Sequence, residues 1–151
     1  MDLTTLPSLL PAIAIIKEFE GCKLKAYQDE GGVWTIGWGT TRISGRPVCA
    51  SDACSQEEAD QWMAAELTSV ANVVRAHIKV PVTDNQFCAL CSFAYNVGVG
   101  AFETSTMLKL LNFSAPAAEV AAEFPKWDHD NGKVVEGLLR RREAEQLLFL
   151  S

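Results

Sequence analysis

The chain has 151 residues, of which 48% are hydrophobic and 21% are charged, and its formal net charge is −6. This length and composition predict one globular domain with a real core and exclude a disordered chain. The acidic balance argues against a nucleic-acid-binding protein, which usually presents a basic surface.

The first fifteen residues contain no recognisable motif. Their most apolar stretch, residues 6–16, is interrupted by Pro7 and Pro11 and is shorter than the roughly 20 apolar residues of a membrane span. The basic beginning of a signal peptide is also missing, since Asp2 follows Met1. We therefore expect no stable membrane insertion. The alternative is that this segment is the remnant of a signal-anchor.

The first structural elements follow from a change of pattern. A helical stripe of apolar side chains over residues 12–19 predicts a helix that Gly21 ends. Between residues 24 and 48, turn signals at Gly31-Gly32 and Ser44-Gly45 flank a β-prone run. This segment predicts a small antiparallel sheet of two or three strands.

Two capping boxes predict where the two longest helices begin. Ser55-Gln56-Glu57-Glu58 opens a helix that continues to about His77, and Thr83-Asp84-Asn85-Gln86 opens a helix over residues 84–97. Glycines at positions 98 and 100 are expected to end the second helix. Because apolar residues nearly encircle it, we expect this helix to be buried at the centre.

Capping residues, prolines and a turn signal divide the rest of the chain into shorter elements. These are a helix over residues 105–111, a helix capped by Ser114 with Pro116 in its first turn and Pro125 at its end, a turn at Asn131-Gly132, and a last helix over residues 136–150. The whole pattern predicts an α+β architecture. A small antiparallel β lobe and a larger helical lobe would be joined by the long helix, with the site in a cleft between them.

Two carboxyl groups and a hydroxyl lie in a glycine- and aromatic-rich segment over residues 19–39. They belong to Glu20, Asp29 and Thr35. A carboxyl pair can cleave a glycosidic bond, because one acid protonates the leaving oxygen while the other carboxylate handles water or the sugar cation. Two acids this close are common, so their spacing alone is a weak signal.

The order of residues in this segment resembles the catalytic segment of the phage lysozymes (endolysins, N-acetylmuramidases) of lambdoid and T-even phages. The matching positions are Glu20-Gly21, Leu24, Ala26-Tyr27, Asp29, Thr35-Ile36-Gly37 and Gly39. The resemblance implies that Glu20, Asp29 and Thr35 are catalytic and that no metal or organic cofactor is needed. One position departs from it: Thr40 stands where family members often carry a supporting His.

The resemblance covers about residues 16–149 and implies further site residues. Tyr95, Asn96 and Ser105 fall where the family lines its saccharide cleft, and an aromatic ring with an amide suits a sugar. A buried helix with a glycine stop and a cap explains the same residues without a ligand. Near the C-terminus, Arg141 and Glu145 predict a solvated helix face with an i,i+4 ion pair.

Five cysteines leave one unpaired at least. Cys49 and Cys54 flank one short loop and predict a disulfide, which leaves Cys22, Cys88 and Cys91 as thiols. The Cys-x-x-Cys pair lies inside a predicted helix and fits buried thiols better than a redox or zinc site. A partner for Cys22 would require an approach of distant segments.

The resemblance implies an endolysin that hydrolyses the β-1,4 bond between N-acetylmuramic acid and N-acetylglucosamine in bacterial peptidoglycan. Such a protein is expected to be a monomer, to be made in the host cytoplasm and to act on glycan strands in the periplasm. Two alternatives remain. A lytic transglycosylase would cut the same bond with the muramic 6-hydroxyl in place of water, and a wall-binding protein would not cut it.

Overall fold

In the computed structural model, residues 5–130 and 132–151 are described. Helices and short antiparallel strand pairs confirm the predicted α+β class. Asn131, half of a predicted turn, lies outside the described residues. The elements in chain order are α1 (Leu10–Phe19), β1 (Lys23–Gln28), β2 (Trp34–Gly37), β3 (Arg42–Ile43), β4 (Arg46–Pro47), α2 (Gln56–His77), α3 (Asp84–Val97), α4 (Val99–Glu103), α5 (Thr106–Asn112), α6 (Ala117–Ala121), a 3₁₀ helix (Phe124–Lys126), β5 (His129–Asp130), β6 (Lys133–Val134) and α7 (Glu136–Leu150).

The chain divides into two compact units. The hairpin unit comprises residues 16–68, and the helical unit comprises the chain up to residue 15 together with residues 69–151. Within the described residues, no helix is both long and apolar enough to cross a membrane.

The hairpin unit contains two separate strand pairs where one small sheet is predicted. Strands β1 and β2 pair antiparallel, with Tyr27 opposite Thr35 and an irregularity nearer the start of β1. Strands β3 and β4 form a second antiparallel pair. The predicted capping box then begins α2, because the Glu58 amide donates to the Ser55 hydroxyl and the Ser55 amide donates to the Glu58 carboxylate, both at 3.1 Å.

The helical unit is built around α3, as predicted. The second capping box is present, since the Gln86 amide donates to the Thr83 hydroxyl and the Thr83 amide donates to the Gln86 side chain. All eight residues 87–94 are buried, so this helix buries every face of its middle turns. Phe93 packs edge-on against Phe124 and Trp127, with ring centroids 5.6 and 5.3 Å apart.

Short elements differ from the sequence expectation. Gly98 ends α3 as predicted, but its φ of 96° also lets the chain begin α4 at once, a helix that the two glycines do not predict. Ser114 has a φ of 58° and does not cap α6, which begins after Pro116. Pro125 does not end α6 as predicted, because α6 ends at Ala121 and Pro125 lies within the 3₁₀ helix that follows.

The prediction of a solvated face on α7 is wrong, although its ion pair is present. Arg141 is 2% exposed and Glu145 is not exposed at all. The Glu145 carboxylate lies 3.3 Å from the Arg141 Nε and 2.8 Å from the Arg142 Nε, and it accepts a 2.6 Å hydrogen bond from the Ser92 hydroxyl. A carboxylate can lie in the interior when such partners compensate for its lost hydration.

Candidate active site

Glu20 lies directly after the last residue of α1. Its amide still donates to the Ile16 carbonyl at 2.8 Å, so the helical turn fixes its backbone. The side chain is half-buried against the turn after β2. A Cβ atom placed on Gly39 would lie 3.4 Å from the Glu20 Oε2, and Gly39 has a φ of 97°. The carboxyl group of Glu20 therefore faces the backbone of that turn at close range.

Asp29 closes the loop between β1 and β2. Its amide donates to the Val33 carbonyl at 2.9 Å, and its Oδ1 accepts from the Val33 amide at 2.8 Å. The residue is exposed. These bonds hold the carboxylate in one orientation and engage Oδ1, so that Oδ2 can bind a water molecule.

Thr35 lies on β2 and is 4% exposed. Its hydroxyl donates to the Val33 carbonyl at 2.9 Å. This bond uses the only hydrogen of the hydroxyl. The lone pairs of its oxygen can still accept a hydrogen bond from a water molecule. Asp29 and Thr35 are thus both fixed through Val33.

Tyr27 connects the candidate residues, although the sequence gives it no role. It lies opposite Thr35 across the β1–β2 pair. Burial raises the pKa of its phenol, and the negative charges of Glu20 and Asp29 raise that pKa further. The structure places Asp29 and Thr35 on this hairpin and the Glu20 carboxyl against the turn that follows it.

The residues predicted to bind saccharide belong to the helical unit. Tyr95 and Asn96 are half-buried on the last turn of α3. Ser105 is 3% exposed and caps α5, because its hydroxyl accepts from the Leu108 amide and donates to the Phe102 carbonyl. Ser105 is therefore far less accessible than the other two.

An open pocket of about 450 Å³ lies beside Asn96 in the helical unit. The Asn96 Oδ1 accepts a 2.8 Å hydrogen bond from the Arg142 guanidinium, and Trp127 supplies an aromatic ring to the same pocket. An amide and an aromatic ring in one pocket are suited to a sugar ring and its polar substituents. Sequence alone does not pair Asn96 with Trp127, because the two lie on elements that are distant along the chain.

The predicted Cys49–Cys54 disulfide is absent, since all five cysteines are free thiols. Asp52 shapes this loop instead: its carboxylate accepts from the Cys49 amide at 2.7 Å and from the two terminal guanidinium nitrogens of Arg46, each at 2.9 Å. Burial raises the pKa of the Cys54 thiol, and the charge of Cys22 adds to the effect. Among the described residues, no three His, Cys, Asp or Glu side chains converge on a possible metal site.

Short antiparallel strand pairs with a mainly helical remainder, and two carboxyl groups and a threonine around one hairpin, point to the lysozyme class of fold. The phage lysozyme family model matches residues 17–145. The chain belongs to the phage lysozyme family.

Individual relatives agree with this assignment. The chain is 41% identical over 143 residues to an endolysin of Acyrthosiphon pisum secondary endosymbiont phage 1, a match that covers 92% of this chain and 94% of that protein. The solved endolysin from Escherichia coli O157:H7 phage FAHEc1 is similar with a TM-score of 0.86 and 35% identity, covering 100% of this chain and 94% of that one. The muramidase domain of SpmX from Asticaccaulis excentricus is similar with a TM-score of 0.82 and 34% identity, covering 93% and 95%.

Proposed function

We propose that this protein is a phage endolysin that hydrolyses the β-1,4 bond between N-acetylmuramic acid and N-acetylglucosamine in peptidoglycan. Membership in the phage lysozyme family supports this, as do relatives named endolysin and muramidase. The observation that carries the proposal is the placement of two carboxyl groups at one hairpin: Glu20 faces Gly39 in the turn after β2, and the Val33 amide holds Asp29 in the loop before β2. Glycoside hydrolysis of this kind uses a pair of carboxyl groups, one as the acid and the other to handle water or the sugar cation.

In the proposed reaction, protonated Glu20 is the general acid. Its proton passes to the glycosidic oxygen as the bond between that oxygen and the muramic anomeric carbon breaks. Asp29, as a carboxylate, accepts a proton from water, and the water oxygen forms the new bond to the same carbon. The Thr35 hydroxyl orients this water. Direct attack inverts the anomeric centre and requires the two carboxyl groups to lie about 6.5–9.5 Å apart.

The helical unit supplies the candidate saccharide-binding residues of the proposal. Asn96 and Tyr95 are half-buried and can contact a sugar, and the pocket beside Asn96 also offers Trp127. Ser105 is the third candidate, and its side chain fixes the beginning of α5 through its cap. The protein would act as a monomeric catalytic domain on glycan strands, after synthesis in the host cytoplasm and release to the periplasm.

Product analysis tests the proposal. Purified peptidoglycan is digested with the protein in water enriched in ¹⁸O, and the fragments are analysed by mass spectrometry. A muramidase leaves reducing N-acetylmuramic acid ends that carry ¹⁸O. Anhydromuramic ends without the label would identify a lytic transglycosylase. Binding without any soluble fragment would identify a non-catalytic wall-binding protein.

A further inference from the structure

We propose that Asp60 is a positioning residue for the Glu20 acid, acting through a hydrogen bond to Trp38. The inference rests on the proposed role of Glu20 and adds a function for a residue on α2. It concerns the hairpin unit alone, because every residue involved lies between positions 16 and 68.

The turn that Glu20 faces is closed on itself by backbone bonds. The Ile36 amide donates to the Thr40 carbonyl at 2.8 Å, and the Thr40 amide donates to the Ile36 carbonyl at 2.9 Å. Gly37 has a φ of 63°, and a Cβ atom added there would lie 3.1 Å from the Ala59 Cβ. The turn therefore packs against α2 at the residue that precedes Asp60.

Asp60 holds this turn through one carboxylate oxygen. Its Oδ1 accepts a 2.7 Å hydrogen bond from the Trp38 indole and a 3.0 Å bond from the side-chain Nε2 of Gln56, and it lies 3.9 Å from the Lys17 ammonium. The Trp38 and Gln56 bonds, with the Lys17 charge, lower the pKa of Asp60. The side chain is thus an anion at neutral pH, and a bond to an ionised acceptor is about twice as strong as a neutral one.

The residue at the family's supporting His position does not hold the turn by its side chain. Thr40 is 3% exposed, and its hydroxyl has no hydrogen-bond partner among the described residues. A side-chain anchor from the turn to α2 is provided by the hydrogen bond that the Trp38 indole donates to Asp60.

Asp60 is linked to Glu20 from two directions. On one side, Trp38 lies between Gly37 and Gly39, and Gly39 faces the Glu20 carboxyl. On the other side, Lys17 lies on the last turn of α1, whose next residues lead to Glu20, and its ammonium is 5.6 Å from the centre of the Trp38 ring. Loosening this anchor would let the turn shift relative to the acid. Misplacement of a catalytic group by about 1 Å can cost on the order of 100-fold in rate.

Four single variants and the Asp60→Ala/Trp38→Phe double variant test the role, with kcat and KM measured on soluble peptidoglycan fragments and Tm measured by thermal unfolding. Asp60→Ala and Trp38→Phe each remove the bond, Asp60→Asn retains an oxygen acceptor for the indole, and Glu57→Ala is the matched control on the same helix. Glu57 is exposed, and its carboxylate accepts a 3.5 Å hydrogen bond from the side chain of Gln61 one turn further along the helix.

We expect Asp60→Ala and Trp38→Phe to lower kcat about tenfold, with KM within about twofold, because positioning affects the chemical step more than binding. The double variant should be no slower than the slower single variant, since both remove one interaction. Asp60→Asn should recover most of kcat, and Glu57→Ala should leave it unchanged.

Three results would overturn the role: kcat of Asp60→Ala equal to that of Glu57→Ala, losses that multiply in the double variant, or losses confined to KM or to Tm. If Asp60→Ala does not fold, Trp38→Phe and Asp60→Asn decide the question by the same measures. Glu20→Gln is assayed alongside. An active Glu20→Gln enzyme refutes Glu20 as the acid and the positioning role with it, whereas an inactive one with full kcat in Asp60→Ala refutes the positioning role alone.

Discussion

Asp29 has two roles that one pair of substitutions can separate. Its Oδ1 accepts a 2.8 Å hydrogen bond from the Val33 amide, and its charge is proposed to accept the proton of the attacking water. In Asp29→Asn the amide oxygen can accept the same backbone bond, but the side chain can no longer accept the proton. We expect hydrolysis to fall by at least about 100-fold, the low end of general acid–base effects. The Tm should barely change.

Asp29→Ala removes the loop bond together with the charge. A hydrogen bond of this kind contributes about 1 kcal/mol, which corresponds to about 2–4 °C in Tm for a chain of this size. Asp29→Ala should therefore be as inactive as Asp29→Asn and also less stable by a few degrees. The two variants should differ in stability and agree in activity.

Release of reducing ends from purified peptidoglycan and thermal unfolding by circular dichroism measure the two effects. Glu30→Gln is the matched control, because it neutralises the adjacent exposed carboxylate. The reasoning is refuted if Asp29→Asn retains more than a tenth of the wild-type rate, or if Glu30→Gln is equally impaired. A Tm loss in Asp29→Asn equal to that in Asp29→Ala would refute the assigned loop bond.

Three further predictions concern stability and thiols. The Arg46 hydrogen bonds lower the pKa of Asp52 to about 2, so the stabilising effect of its charge should be present above about pH 4 and be lost toward pH 2. The Tm difference between wild type and Asp52→Asn should therefore shrink over that range. A constant difference would contradict the assignment. Glu145→Gln removes the charge of a fully buried ion-paired group and should cost about 3–5 kcal/mol in urea unfolding, whereas a loss below about 1 kcal/mol would show that the carboxylate is dispensable. Burial raises the pKa of Cys91, so this thiol should resist alkylation in the native protein, whereas the exposed Cys49 thiol should react. Rapid labelling of Cys91 would contradict its burial.

Local sequence signals predict the longer helices well. The boxes at Ser55 and Thr83 begin α2 and α3 because each satisfies two amide donors that the helix itself cannot. The run from Arg141 to Glu145 shows the limit of such signals. Its charge pattern is that of a solvated face, and only the packing of Ser92 and Arg142 around the carboxylate makes burial possible.

The candidate catalytic residues could be predicted because they occur close together in the chain and match a family segment. The residues that hold the candidate catalytic residues in place could not be predicted in this way. Trp38 lies in the turn after β2 and Asp60 lies on α2, and only the fold brings the indole to the carboxylate. The prediction of a Cys49–Cys54 disulfide is wrong for a similar reason. Both cysteines are free thiols, and the loop between them is shaped by hydrogen bonds to Asp52 that the cysteine spacing does not reveal.

The most direct test of the central claim is the rate of peptidoglycan hydrolysis by Glu20→Gln. Glutamine preserves the shape of the side chain against Gly39 but cannot donate the proton. Glu18→Gln, an exposed change on the last turn of α1, serves as the control. We predict a loss of at least about 100-fold for Glu20→Gln with an unchanged Tm, and full activity for Glu18→Gln. Retention of more than a tenth of the wild-type rate by Glu20→Gln would show that Glu20 is not the acid.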